Sequence, residues 1–71
     1  MADSVYKVIE LVGTSTDSWE RAASAAIDQA ASTLRDLRIA EVTQLDVALD
    51  ENGAKTYRAK LSVSFKYDGG G

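Results

Sequence analysis

With no histidine and no cysteine among its 71 residues, the sequence offers only carboxylates, hydroxyls, amides, lysines, arginines and tyrosines for chemistry. Catalysis usually needs a group that titrates near neutrality or an activated nucleophile, and none of these side chains stands in a recognisable catalytic spacing. The adjacent acids Asp50 and Glu51 precede Asn52-Gly53 and read as a solvated turn, because turns favour these residue types for backbone reasons. The chain therefore reads as a binding protein and not an enzyme. Without nitrogen or sulfur ligands, a metal site would have to be built from oxygens, which select hard cations such as calcium or magnesium over zinc or copper. No EF-hand spacing surrounds Asp46 to Gly53. Such a site would be assembled from several chains, where Asp17 and Glu20, or Asp46, repeat about a symmetry axis.

Two further features could meet a ligand. Gly13-Thr14-Ser15-Thr16 precedes an expected helix, where free N–H groups favour anions, but it lacks every defining residue of a phosphate-binding fingerprint and reads as a strand-to-helix turn. Arg58 and Lys60 alternate with apolar residues, so they share a polar sheet face that is either solvated or able to meet an anion. Trp19 falls on an apolar helical stripe, where a packing anchor is the default.

The elements that must position these residues follow from their patterns. Ser4 to Val12 is rich in β-branched residues and reads as a strand with apolar groups on both faces. Asp17 and Glu20 form a capping pair for a helix over Ser18 to Leu37, with Trp19, Ala23, Ile27, Ala30, Leu34 and Leu37 on one stripe. Ile39 to Leu49 alternates as a second strand, with Ile39, Leu45, Val47 and Leu49 in one register and Ala40, Val42, Gln44 and Asp46 in the other. Asn52-Gly53 predicts a type I′ hairpin. The last strand, Ala54 to Tyr67, alternates without a fault: Tyr57, Ala59, Leu61, Val63, Phe65 and Tyr67 against Arg58, Lys60, Ser62, Ser64 and Lys66. Residues 68–71 read as a frayed end. The order is β-α-β-β in a single α+β domain over residues 1–71, with the third strand central in an antiparallel sheet.

A comparison of lengths bears on assembly. A 20-residue helix spans about 30 Å, whereas the last strand would run about 45 Å, so the hairpin must overhang its helix. A chain this short buries a modest core, and without cysteine or histidine neither a disulfide nor a zinc site can supplement it. Cover for the overhang must come from other copies of the chain. A net charge of −3 and a pI near 4.7 argue against nucleic acid or an anionic membrane as partner. No segment approaches a membrane span and the N-terminus lacks a leader pattern, so the protein reads as cytoplasmic.

The runs Val5-Tyr6-Lys7-Val8-Ile9-Glu10-Leu11-Val12-Gly13-Thr14-Ser15, Ser18-Trp19-Glu20, Thr56-Tyr57-Arg58 and Val63-Ser64-Phe65 together resemble the dodecin family over nearly the whole chain. The resemblance implies a three-stranded antiparallel sheet wrapped on one helix, assembled from trimers into a hollow sphere of twelve subunits. Flavin-binding members hold stacked flavins between a tryptophan and a glutamine at positions that are Ile39 and Arg58 here. Without the indole plane and the amide acceptor, the sequence argues against flavin. It is similar instead to the calcium dodecin branch, which implies calcium storage at contacts between three subunits. Asp17 matches a family position that meets a cation, and another such acidic position is Gln44 here. The alternative is a flavin- or nucleotide-type small molecule bound near Ile39, Gln44 and Arg58.

Overall fold

The faultless alternation of the last strand becomes the centre of the molecule. The computed structural model describes residues 3–66, with β1 (Tyr6–Ser15), α1 (Trp19–Thr33), β2 (Leu37–Leu49) and β3 (Lys55–Lys66) in chain order. The expected strand end at Tyr67 and the tail over 68–71 lie outside the described residues. The sheet has the order β1-β3-β2 with both pairings antiparallel, as a central third strand requires. Among the described residues no helix is long and apolar enough to cross a membrane.

One face of β3 is dry. Ala59, Leu61 and Val63 are buried against Ala22 and Ala26 of α1, with Ile9, Leu11, Ala23, Ile27 and Leu37 packed around them. The buried positions of the helix, Ala22, Ala26 and Ala30, repeat every four residues, so the stripe is turned by one position from the expected line through Trp19 and Ala23. Small side chains on that line let the helix sit close on the sheet.

That closeness explains β1. The strand does not stop at Val12: Gly13, Thr14 and Ser15 continue it, paired with Ala59, Arg58 and Tyr57. Gly13 faces the helix, where a Cβ would run into the carbonyl oxygen of Ala22. It is therefore a contact residue and not a breaker, and Gly13-Thr14-Ser15 forms no anion-cradling loop.

Helix α1 is also shorter than expected. Its N-cap is Ser18, whose side chain accepts from the Arg21 N–H at 3.0 Å, and not Asp17, one residue too early for that geometry. It ends at Thr33, with Leu34 extended as C-cap and Asp36 at φ 58°, so Leu37, expected at the end of the apolar stripe, belongs to the inner face of β2. The hairpin differs from a type I′ turn as well. Gly53 has φ +81° but Asn52 is not left-handed, and Gly53 N–H donates to the Asp50 carbonyl, the pattern of a type I turn closed by a left-handed glycine. The Asp50 carboxylate selects it by accepting from the N–H groups of Asn52 and Ala54, each at 2.8 Å.

The two registers read for β2 are crossed by a bulge. The pairing slips between Val42 and Gln44, and the skipped Thr43 donates its hydroxyl to the Lys60 carbonyl at 3.1 Å. Val42 and Leu45 thereby both oppose inner-face residues, Leu61 and Ala59, while Gln44 and Asp46 oppose Lys60 and Arg58 on the outer face.

The helix, about 22 Å long, lies over β1 and β3 and leaves much of β2 uncovered. The molecule is 56 Å in its longest dimension. Leu49, at 68% exposure, and Ile39, at 65%, stand in the open, with Tyr6, Val8, Val12, Val42 and Leu45 also exposed.

Candidate functional site

The structure gathers polar chemistry at two places. The first is a hollow of about 180 Å³ on the outer face, lined by Val12, Gln44, Asp46, Arg58 and Lys60. Ladder register places Gln44 opposite Lys60 and Asp46 opposite Arg58, while Val12 opposes Lys60 from the other side. Arg58 holds Asp46 with two parallel hydrogen bonds, Nε to Oδ1 at 2.7 Å and Nη2 to Oδ2 at 2.9 Å, the planar geometry that a guanidinium supplies and an ammonium does not. These bonds hold the Asp46 carboxyl below its ordinary value of 3.8 and push the Arg58 guanidinium further up. The backbone of Asp46 is fixed as well: its carbonyl accepts from Trp19 Nε1 at 3.0 Å. The Trp19 ring meets Tyr57 edge-on at 5.1 Å.

A prediction about pH follows from this pair. A carboxylate whose folded pKa lies below its unfolded one contributes stability that is complete above the unfolded value and is lost as pH falls through the folded one. The Asp46 contribution is thus intact at neutral pH and disappears only below about 4. A carbon-detected NMR titration should give Asp46 a midpoint under 3.8, and Arg58→Gln should bring it back toward the ordinary carboxylate range.

The second place is a recess along α1, from its start to its third turn. Asp17, Arg21 and Asp28 border it with Thr14, Ser15 and Ser24. Asp17 meets Arg21 through a single 4.0 Å contact between side chains 71% and 75% exposed, and the Asp17 N–H donates to Ser15 Oγ at 3.0 Å. Glu20 lies round the helix from this recess, on an apolar groove formed with Trp19, Ala23, Val42 and Leu45.

Of the residues read as ligand-binding, Gln44 and Arg58 come together in the hollow. Ile39 shares their face, but it pairs with Ser64, four ladder positions or roughly 13 Å from Lys60. Of the acids read as metal ligands, Asp17 and Glu20 stand near the helix start, while Asp46 lies across the sheet on Arg58. Among the described residues no three acids cluster within one chain. The sequence reading missed Arg21 and Asp28, although residues 17, 21, 24 and 28 follow the helical spacing that places them on one face. It also missed the Trp19 bond to Asp46, which links residues 27 positions apart and has no local signature.

Comparison with known proteins adds to this geometry. A family model described as Dodecin matches residues 5–68. The chain is 52% identical over 63 residues to the calcium dodecin of Mycobacterium tuberculosis, covering 89% of each. It is 42% identical over 64 residues to the dodecin of Thermus thermophilus, covering 90% of this chain and 93% of that one. A crystal structure of the Mycobacterium tuberculosis protein, described as a calcium-chelating immunodominant antigen with a novel calcium-binding site, superposes with a TM-score of 0.87 at 48% identity, over 96% of this chain and 97% of that one.

Proposed function

Because the chain belongs to the dodecin family, we propose that it is a non-enzymatic binding protein that assembles as a homododecamer and stores calcium ions at junctions between its subunits. The observation that carries this reading is the state of the acids in the recess that runs along α1 from its start. Asp17 is restrained by one stretched, exposed contact to Arg21, a kind of pair that contributes little, and Asp28 borders the same recess. These carboxylates are available to a cation. Calcium takes six to eight oxygens, more than one helix start offers, so several subunits must contribute. Glu20 supports a shared site, since it borders the uncovered apolar groove of Trp19, Ala23, Val42 and Leu45, against which a neighbouring copy would pack. The relationship to a protein named calcium dodecin favours calcium over other hard cations, and the acidic balance of the chain would sum over an assembled shell and concentrate cations.

Titration calorimetry on chelator-stripped protein tests the reading. Calcium should bind more tightly than magnesium, and a hundredfold excess over its Kd should stabilise the fold by about 2.7 kcal/mol for a single site. Asp17→Asn should weaken binding at least tenfold. Calcium binding no tighter than magnesium, with an unchanged melting temperature, would reject a dedicated site. The alternative, a flavin- or nucleotide-type ligand across Ile39, Gln44 and Arg58, draws support from the outer hollow. Ile39 supplies no aromatic plane for stacking, so added flavin should keep its fluorescence.

A further inference from the structure

We propose that Arg58 is a specificity-determining residue that keeps divalent cations off the outer face of the sheet and confines them to the helix start, an inference that rests on the calcium reading above. The chain contains two Asp–Arg pairs of opposite character. Asp17 and Arg21 touch once, at 4.0 Å, with both side chains mostly in solvent. Asp46 and Arg58 share two bonds, at 2.7 and 2.9 Å, between side chains only 38% and 48% exposed. A cation approaching Asp17 displaces a single stretched contact. One approaching Asp46 must break both bonds of a planar pair whose carboxylate is held in place by the Trp19 bond to its own backbone.

The local charges point the same way. In the outer hollow one carboxylate, Asp46, faces two cations, Arg58 and Lys60, so the hollow is positive on a chain that is negative overall. The recess along α1 is lined by two carboxylates, Asp17 near the helix start and Asp28 in the third turn, and one cation, Arg21, so it is negative. Without Arg58, the outer hollow would present the Asp46 carboxylate and the Gln44 amide oxygen to a hard cation, opposed by Lys60 alone. One side chain thus decides which of two acid-bearing surfaces takes a cation.

Terbium(III), a hard cation that neighbouring tryptophan excites to luminescence, is a suitable probe because Trp19 bonds to Asp46. In the assembled protein, Arg58→Gln should add a terbium-binding step that the double variant Asp46→Asn/Arg58→Gln lacks. Asp46→Asn alone should leave calcium and terbium affinity within twofold of the parent. A tenfold or greater loss in Asp46→Asn would overturn the inference, because Asp46 would then be a ligand despite Arg58. So would an Arg58→Gln protein with no added step. Should Arg58→Gln fail to assemble, Arg58→Lys, which keeps the charge but not the two parallel bonds, takes its place and should add a weaker terbium-binding step. If the parent binds no calcium but Arg58→Gln gains the added step, the storage reading fails while the role of Arg58 stands.

Discussion

Gly13→Ala should cost the protein most of its stability. The new methyl group would overlap the Ala22 carbonyl oxygen, a backbone atom inside the helix, and press on the Ala26 Cβ at 3.0 Å. Neither neighbour is the movable end of a long side chain, so the helix itself must lift from the sheet. Overpacking of a tight core costs about 3 kcal/mol when the backbone has to shift, and for a domain of this size that lowers Tm by about 12–24 °C. Gly53→Ala is the control. No atom lies within 4 Å of its added Cβ, so only the left-handed φ of +81° opposes it, at about 1–2 kcal/mol. Thermal unfolding of the two variants separates the effects. Equal melting temperatures would show that the close approach of helix and sheet does not hold the fold.

Leu61→Ala ranks next. Leu61 is fully buried in the middle of β3, flanked on the inner face by Leu11 and Val42 as ladder partners. Removing a buried leucine side chain costs about 2–5 kcal/mol, depending on how far the site can collapse. Collapse is limited here because β3 is paired on both sides. Denaturant unfolding should show the midpoint falling with the slope unchanged, and a loss under 1 kcal/mol would mean that the core lies elsewhere.

The fold was legible wherever one residue pattern had a single physical reading. The alternation from Tyr57 to Phe65 marked β3 as a strand with one buried face, and the hairpin and the helical return, with all-antiparallel pairing, placed it in the centre. What escaped the sequence depended on partners distant along the chain. Gly13 carries the signature of a break, and only the nearness of Ala22 shows why glycine is required within a strand. Leu34 and Leu37 extend the helical period, yet Asp36 turns the backbone and Leu37 serves the inner face of β2, a case in which two periodicities share the same residues. Asn52-Gly53 favours a type I′ turn in isolation, but the Asp50 carboxylate two residues earlier sets a different one. The bulge at Thr43 has no sequence signature, and it is what sets Val42 and Leu45 on the inner face of the sheet and Gln44 and Asp46 on the outer one.

The same limit applies to the candidate site. Arg58 and Asp46 were singled out individually by chemistry and Gln44 by the family resemblance, but the pairing of Asp46 with Arg58 comes from a register that the bulge sets. That pairing distinguishes a carboxylate already bound by the protein from one open to a cation, which residue type alone does not reveal.

A β-hairpin longer than its helix, with Ile39, Leu49, Val8 and Val12 in the open, is an incomplete structure until other copies cover it. Sedimentation velocity at low micromolar concentration tests this most directly. The particle should carry the mass of twelve chains, with no folded species at the 7.6 kDa of a single one. A stable, fully folded monomer under those conditions would contradict the account.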